Sequence, residues 1–179
     1  TRLLRSMEFL LFPAKTMGSH VTNWNKNTSV KFRTDVCSSC KLGFDIDLKS
    51  LSEDDYKFVQ QAVKNYNSMK PVILEGDQYR LVSPYEGSHC AVNYVSKDKQ
   101  RAVLFAYDLH PRYKEPQMNV KLQGLNPTKL YTVKETNLMP GKTSELECDG
   151  KQYSGDYLMK VGLSVFSAQD GTSHVLTLE

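Results

Sequence analysis

The chain has 179 residues, of which 40% are hydrophobic and 24% charged, and its formal net charge is +3. This composition predicts a folded globular protein and excludes a disordered or low-complexity chain. The charge excess is too small to indicate a nucleic-acid partner. No apolar run approaches the roughly 20 residues of a membrane span, so we expect a soluble protein without a membrane partner. The sequence leaves its compartment, cytoplasmic or periplasmic, open.

The first residues already follow a helical pattern. Apolar side chains between Leu3 and Leu11 recur at helical spacing, with no capping residue ahead of them. The first residue is Thr1 rather than Met, and the predicted helix has no signal for its beginning. We therefore expect a chain that is truncated at this end.

A short strand and another helix are predicted next. Thr16–Val21 is a compact segment that suits a buried strand. Thr28 or Ser29 caps a helix that runs through Leu42, and Gly43 is placed to take the left-handed conformation beyond it.

A further helix begins near Ser52, which forms a near capping box with Asp55. Pro71 is expected to end it, because proline removes a helical hydrogen bond. The apolar stripe of this helix predicts a packing face and consists of Tyr56, Val59, Val63 and Tyr66.

From Val72 onward the hydrophobic period changes to two, which is typical of strands. Short strands with turns between them and no helix predict an antiparallel sandwich. Such a sandwich closes its own core between two sheets, so we expect this part to fold by itself. The candidate strands are Gln78–Val82, Cys90–Val95, Arg101–Tyr107, Met118–Leu122, Leu130–Glu135, Tyr157–Val161 and Val175–Leu178.

Four cysteines include one Cys-x-x-Cys pair, Cys37 and Cys40. Such a pair is typical of a redox dithiol or of half a zinc site. A zinc site needs a second close pair, whereas Cys90 and Cys148 are isolated. A redox dithiol lies between a strand and the start of a helix, whereas this pair lies inside a predicted helix. We interpret the pair as buried core thiols and expect no metal and no cofactor.

Few residues suit nucleophilic or acid–base chemistry. Ser19 and His20 are neighbours on a predicted strand, so they point to opposite faces and do not form a hydrolase pair. By itself, His20 is more often a hydrogen-bonded structural residue. Asp45 and Asp47 alternate with apolar residues and share one face, as a catalytic pair would, but a loop directly after a glycine cap is usually solvated.

Trp24 is the only tryptophan and lies between Asn23 and Asn25 in a polar loop. An aromatic face stacks on the apolar side of a pyranose, while amides bond its hydroxyls. Core packing or a subunit contact explains a single tryptophan equally well, so both interpretations stay open.

Six sequence blocks follow one another through nearly the whole chain, and they are Met17–Val21, Lys31–Val36, Lys41–Asp47, Leu51–Glu53, Tyr79–Tyr85 and Tyr153–Met159 with Gly162-Leu163. In this order and spacing they are similar to the C-terminal portion of family 36 α-galactosidases. The first block alone would be a weak signal, but six blocks in the right order are a strong one.

The resemblance implies a parent enzyme with a β-rich N-terminal domain, a central (β/α)8 barrel and a C-terminal antiparallel sandwich. This chain would be an α+β fragment. Residues 1–70 would hold the end of the barrel and be mainly helical, and residues 71–179 would form the antiparallel β-sandwich. Thr16–Val21 would be the eighth barrel strand and Ser29–Leu42 the eighth helix.

The resemblance also implies a function. Family members are retaining glycosidases that hydrolyse terminal α-linked galactose from oligosaccharides, using two aspartates. No aspartate here matches either motif, so no catalytic residue is carried over and the fragment is expected to be inactive alone. Barrel enzymes place their chemistry at the carboxyl ends of the strands, which puts Ser19, His20 and Trp24 near the substrate. Many members follow the Ser-His-Val block with a Pro-Asn-His loop, which Thr22–Asn25 does not match, so the role of this loop in substrate choice stays open.

The alternative is a non-catalytic carbohydrate-binding or interaction module, in which exposed tyrosines of the sandwich contact sugar. Burial of the rings discriminates between the two interpretations. The tyrosines concerned are Tyr79, Tyr85, Tyr94, Tyr107, Tyr113 and Tyr131. The resemblance further suggests a homo-oligomer, with α-galactoside oligosaccharides as partners of the full-length enzyme.

Overall fold

The computed structural model describes residues 12–23, 27–112, 115, 118–167 and 169–179. The helix predicted at the start of the chain lies mostly outside these ranges. Within them, none of the helices combines the length and the apolar composition that a bilayer-spanning segment requires.

The N-terminal part contains a β–α–β unit. Strand β1 (Gly18–Thr22) and strand β2 (Lys41–Asp45) lie side by side and parallel, and helix α1 (Val30–Ser38) connects them. A helical crossover is the usual way to join two adjacent parallel strands, because the chain must return to the same end of the sheet. This unit is the repeating element of (β/α)8 barrels.

Helix α1 is shorter than the sequence predicts. Ser29 is its N-cap, and the hydroxyl oxygen of Ser29 accepts a hydrogen bond from Phe32 N at 3.1 Å. The helix ends at Ser38, and the segment expected to continue it to Leu42 enters β2 instead. Alternation of apolar and small or polar residues from Lys41 onward fits a strand that has β1 as its partner. The described N-terminal residues therefore contain two parallel strands where the sequence predicts one.

Helix α2 (Glu53–Glu75) is capped by Ser52, whose hydroxyl accepts from Asp55 N at 3.1 Å. It does not end at Pro71 as predicted, but continues for one further turn. The missing N–H of Pro71 costs one hydrogen bond, while Val72 and Ile73 beyond it are buried in the core. The packing face also differs from the predicted stripe, because Tyr56 and Val63 are 40% and 37% exposed. The buried residues of α2 are Phe58, Val59, Ala62, Tyr66, Met69, Val72 and Ile73.

The rest of the described chain is built on one six-stranded sheet. Every neighbouring pair of strands is antiparallel, and the order across the sheet is β3-β4-β5-β8-β6-β7. Strands β4 and β5 are buried along their whole length. The strands are β3 (Asp77–Val82), β4 (His89–Val95), β5 (Ala102–Asp108), β6 (Leu130–Thr136), β7 (Gln152–Ser154) and β8 (Ser173–Leu178).

Different layers cover the two faces of this sheet. On one face, Tyr94, Phe105 and Tyr107 pack with residues of α1 and α2 in a single apolar cluster. On the other face, Leu104 and Leu176 pack against the segments that connect the strands. This second layer contributes Val120, Leu122, Leu125, Cys148, Leu158, Leu163, Val165 and Phe166. Because helices of the N-terminal part pack on one face of the sheet, the two parts of the chain share a core.

The second layer is not a sheet, which corrects the predicted sandwich for the described residues. Of the expected strand Met118–Leu122, only Val120 pairs, in an isolated bridge with Leu163. Gly124, at φ +80°, turns the chain shortly after this segment.

The expected strand Tyr157–Val161 is instead mostly helix α3 (Gly155–Lys160). Ser154 caps it, since its hydroxyl accepts from Tyr157 N at 3.2 Å. Gly162, at φ +81°, takes the left-handed conformation just beyond it. Helix α2 crosses the predicted domain boundary between residues 70 and 71, and the division into two domains stays a prediction.

Candidate functional site

The two faces of the β1–β2 pair differ sharply. Ser19 Oγ lies 3.2 Å from Cys37 Sγ and donates to it, so Ser19 faces helix α1. Val21, two residues further, is buried on the same side. His20 and Thr22 therefore lie on the opposite face, and the register pairs them with Gly43 and Asp45 of β2. The prediction that Ser19 and His20 point to opposite faces agrees with this geometry.

The imidazole of His20 lies across strand β2 at Gly43. A Cβ atom added to Gly43 would lie 2.2 Å from His20 Cδ2 and 2.6 Å from His20 Nε2. Any side chain at position 43 would thus occupy the space of the ring. The absence of a side chain on β2 allows His20 to extend toward the neighbouring strand.

An open depression of about 500 Å³ lies beside this ring and is lined by His20, Thr22, Phe44 and Asp45. His20 and Asp45 are both exposed. Within the described ranges, neither side chain takes part in a hydrogen bond. In this chain, the face of the β1–β2 pair opposite α1 therefore presents an imidazole, a hydroxyl and a carboxylate.

A second cavity, of about 560 Å³, lies beyond the carboxyl ends of the two strands. Arg33 Nη1 donates to the main-chain oxygen of Thr22 and so ties α1 to the end of β1. Asp47 Oδ1 accepts from Lys49 N at 3.0 Å and caps the short 3-10 helix Leu48–Ser50. The cavity is lined by Asn23, Thr28, Ser29, Val30, Arg33, Asp47, Ser50, Leu51 and Asp55.

The acids Asp45 and Asp47 are both exposed, but they do not continue one strand. Strand β2 ends at Asp45, and Asp47 belongs to the following turn. Trp24, which the resemblance predicts to lie near substrate, is outside the described residues.

Three buried carboxylates are engaged in structural hydrogen bonds. Asp35 accepts from Lys31 Nζ at 2.6 Å, from Ser173 Oγ at 2.7 Å and from Asn137 Nδ2 at 2.8 Å. Its partners lie on α1, β8 and the turn after β6, so Asp35 joins the N-terminal part to the sheet. Sequence reasoning missed this group, because Asn137 and Ser173 are more than 100 residues away from Asp35.

Asp108 and Glu135 each pair with a histidine. Asp108 Oδ1 lies 2.7 Å from His89 Nδ1, and Asp108 Oδ2 accepts from Ser167 N and Oγ, each at 2.9 Å. Glu135 Oε1 lies 2.6 Å from His174 Nδ1, and Ser144 donates to Glu135 Oε2.

Burial raises the pKa of Glu135, but hydrogen bonds from His174 and Ser144 and the nearby positive charges outweigh it, so the pKa lies below its usual value. The hydrogen bonds favour the ionised carboxylate, which holds β6 to β8 and to the following loop. The carboxylate of Glu135 therefore has a structural role.

All four cysteines are buried free thiols. Cys37 lies in α1 and Cys40 follows two residues after its end, so the pair spans the end of the helix rather than its interior. Burial raises the pKa of Cys37 to about 11 and that of Cys40 to about 12, which keeps both protonated at neutral pH. In the described part of the chain, no group of His, Cys, Asp and Glu side chains has the arrangement of a metal site.

Most of the tyrosines proposed to contact sugar are unavailable. Tyr94, Tyr107 and Tyr131 are fully buried, and Tyr79 is half-buried. Tyr85 is 60% exposed, whereas Tyr113 lies outside the described residues. Burial of these rings argues against sugar binding by a tyrosine surface of the sheet.

Comparisons with known proteins place the chain in a family of carbohydrate-cleaving enzymes. The model of the glycosyl hydrolase family 36 C-terminal domain matches residues 89–178, and the melibiase model matches residues 4–76. The first match covers half of the chain. The chain belongs to glycosyl hydrolase family 36.

Similar relatives are α-galactosidases. The probable α-galactosidase C of Aspergillus flavus is 31% identical over 177 residues, which are 95% of this chain and 22% of the relative. α-Galactosidase 1 of Pediococcus pentosaceus is 30% identical over 86% of this chain and 20% of the relative. The chain thus spans about a fifth of the length of the curated relatives it matches.

Solved structures that are similar to this chain belong to the same family. The GH36 α-galactosidase AgaB from Geobacillus stearothermophilus superposes with a TM-score of 0.80 at 27% identity, over 95% of this chain and 22% of that one. Variants of AgaA from the same organism, with the same TM-score of 0.80, were solved in complex with raffinose and with stachyose.

Proposed function

We propose that this chain forms the end of the catalytic (β/α)8 barrel and the supporting β domain of a retaining α-galactosidase, whose catalytic carboxylates lie elsewhere. The enzyme would release terminal α-linked galactose from oligosaccharides of the raffinose and stachyose type. One observation carries the proposal: the β1–α1–β2 unit and the sheet behind it superpose as a unit on GH36 α-galactosidases over 95% of the chain.

The arrangement of the β1–β2 pair supports this assignment. In a (β/α)8 barrel the helices lie outside, so the strand face opposite α1 points into the barrel. That face carries His20, Thr22 and Asp45. Among the residues that the sequence places near substrate, His20 is then the one that faces the interior, while Ser19 faces α1. The proximity of Trp24 to the substrate and a homo-oligomeric assembly stay predictions.

The buried acids support the second half of the proposal. A retaining glycosidase needs two carboxyl groups roughly 5 to 5.5 Å apart at an open site. Asp35, Asp108 and Glu135 are buried, and each is held by at least two neighbouring side chains. These groups stabilise the fold and are not available for attack on a glycosidic bond.

Detection of the native protein tests the proposal. Antibodies raised against the exposed segment 141–147 are expected to identify a polypeptide several times longer than this chain. Depletion with these antibodies is expected to remove raffinose-hydrolysing activity from an extract, and antibodies from the pre-immune serum serve as the control. Activity that is undiminished after complete removal of the polypeptide would overturn the proposal.

A further inference from the structure

We infer that segment 137–144, which follows β6, positions the two connections that follow β1 and β2, and that Met139 is its positioning residue. In a (β/α)8 barrel, the loops at the carboxyl ends of the strands form the substrate site. This inference rests on the proposed function and goes beyond it, since it gives a segment of the β domain a role in holding substrate.

Segment 137–144 lies at the same end of the molecule as the carboxyl ends of β1 and β2. Helix α1 starts from the carboxyl end of β1, so its first turn lies at that end. In this turn, Lys31 Nζ donates to the main-chain oxygen of Ser173, the first residue of β8, at 2.8 Å. Strand β6 ends beside the start of β8, because Thr136 pairs with Val175. The segment after β6 therefore begins next to the first turns of α1.

Buried carboxylates hold both ends of segment 137–144. At its start, Asn137 Nδ2 donates to Asp35 Oδ1 of α1, and Asn65 Nδ2 of α2 donates to Asn137 Oδ1, each at 2.8 Å. At its end, Ser144 donates to Glu135 Oε2 of β6. Asn137 is only 2% exposed, which shields its hydrogen bonds from water. The segment is thus fixed to both helices at one end and to the sheet at the other.

A tight turn holds the backbone of Met139. Lys142 N donates to the main-chain oxygen of Met139 at 3.0 Å, with Pro140 and Gly141 at the centre of the turn. Gly141 has a φ of +72°, as the third residue of a type II turn requires. A Cβ at Gly141 would meet no atom within 4 Å, so glycine is needed there for its backbone conformation and not for space.

The side chain of Met139 packs against a small apolar cluster to which both helices contribute. The cluster includes Val30, the first residue of α1, and Phe58 of α2. Leu51, which directly precedes the N-cap of α2, packs against the same cluster. Val30 and Leu51 also line the cavity of about 560 Å³ beyond the carboxyl ends of the strands. Met139 therefore supports the start of both helices and the two cavity walls that join them.

Kinetics of the active enzyme that contains this chain test the inference, with raffinose as substrate. Met139→Ala is expected to raise KM by roughly 5-fold and to change kcat by less than about 2-fold, because the binding loops shift while the catalytic groups stay in place. Met139→Leu conserves the side-chain volume and is expected to keep the wild-type KM.

Met159→Ala is the matched control. Met159 is also half-buried, but it packs in the layer on the opposite face of the sheet from the helices. Its truncation removes the same atoms from an apolar contact, so it reproduces a general loss of packing. We expect Met159→Ala to keep the wild-type KM.

Gly141→Ala tests the turn without changing the side chain of Met139. Alanine at a φ of +72° is strained, so the turn shifts and KM is expected to rise as in Met139→Ala. Gly171→Ala is the control, because Gly171 has a φ of +70° and a Cβ there also meets no atom within 4 Å. It is expected to keep the wild-type KM. This pair decides the question if Met139→Ala does not fold.

Hydrogen exchange in the 179-residue chain gives a readout that needs no activity. Met139→Ala is expected to speed amide exchange in residues 30–34 and 48–52, because both segments lose a packing partner. Met159→Ala is expected to leave exchange in these two segments unchanged.

The proposed function and this inference fail in different ways. A wild-type enzyme that hydrolyses no α-galactoside would overturn the proposed function, and the role in holding substrate with it. An active enzyme in which Met139→Ala leaves KM unchanged, or in which Met159→Ala raises KM equally, would overturn this inference alone. Unchanged exchange in both segments of the Met139→Ala chain would also overturn it.

Discussion

Asn137 Nδ2 donates to Asp35 Oδ1 at 2.8 Å and so joins the turn after β6 to helix α1. Asn137 has a φ of +57°, and Asn65 Nδ2 of helix α2 donates to Asn137 Oδ1, also at 2.8 Å. A single asparagine thus contacts both helices that cover the sheet. This group therefore links α1 and α2 to the end of β6.

Removal of the Asp35 carboxylate should destabilise the protein strongly. Asp35→Ala leaves Lys31, Ser173 and Asn137 without their shared acceptor in a buried site, so we expect a loss of about 3–5 kcal/mol in the free energy of unfolding. Urea denaturation measures this change. The surface pair of Glu53 and Lys57 provides the control, and Glu53→Gln is expected to cost less than about 0.5 kcal/mol. Equal costs for the two variants would contradict the structural role of Asp35.

Glu135 should make the stability depend on pH in the acid range. Its pKa in the folded protein lies below the usual value, because hydrogen bonds and nearby positive charges outweigh the effect of burial. The unfolded chain therefore binds a proton more readily than the native one. The stabilisation is present above the ordinary glutamate pKa of about 4.3 and is lost as pH falls through the folded-state pKa.

Glu135→Gln removes this contribution. We expect the difference in unfolding free energy between wild type and variant to be largest near neutral pH and to shrink below about pH 4.3. Denaturant titrations at several pH values measure it, with Glu145→Gln at an exposed position as the control. A difference that grows toward acid pH would have the wrong sign.

The Cys-x-x-Cys pair should be unreactive in the folded protein. With a pKa of about 11 for Cys37 and about 12 for Cys40, the thiolate form is rare at pH 8. We expect slow reaction with a thiol reagent in native buffer and four thiols after denaturation without reductant. Ser50→Cys adds an exposed cysteine as a positive control for rapid reaction. Two fewer thiols in the denatured chain would indicate a disulfide instead.

The sequence predicts locally encoded elements well. Ser29 and Ser52 cap helices where expected, and most strands of the sheet coincide with runs of alternating or continuous apolar residues. The errors concern tertiary context. Residues after Cys40 become a strand because β1 is available as a partner. The covering layer around Val120 has strand-like composition but no sheet to join, which local patterns do not reveal.

The candidate site shows the same limit. Alternation along a strand predicts that Ser19 and His20 diverge, and the resemblance places both near the end of a barrel strand. The approach of His20 to Gly43 requires the register between two strands, which neither segment encodes by itself. Asp35 was also missed, since its partners on the sheet lie far along the chain.

The C-terminal part shares a core with the N-terminal helices, so we expect that it does not fold alone. Tyr66 and Met69 of α2 lie in one apolar cluster with Tyr94, Phe105 and Tyr107 of the sheet. A chain shortened to residues 72–179 loses these contacts and exposes that face of the sheet, whereas residues 52–179 retain the whole of α2. We expect amide protection of β4 and β5 to persist in the longer chain and to fall sharply in the shorter one.

Hydrogen exchange followed by mass spectrometry measures the protection in both chains. The variant Val63→Ala in the longer chain is a control for small changes in α2, because Val63 is 37% exposed. Full protection of β4 and β5 in residues 72–179 would show that the sheet closes its own core after all.

The 179-residue chain by itself should have no α-galactosidase activity. Catalysis by a retaining enzyme needs a nucleophile and an acid/base held together in a preorganised site. The buried acids Asp35, Asp108 and Glu135 are occupied by structural hydrogen bonds, and β1 and β2 supply only part of a barrel wall. We expect the purified chain to release no more nitrophenol from a nitrophenyl α-galactoside than a mock preparation, with a complete α-galactosidase as the positive control. Release that exceeds the mock preparation and disappears when a single carboxylate of this chain is replaced would show that the chain carries a catalytic group.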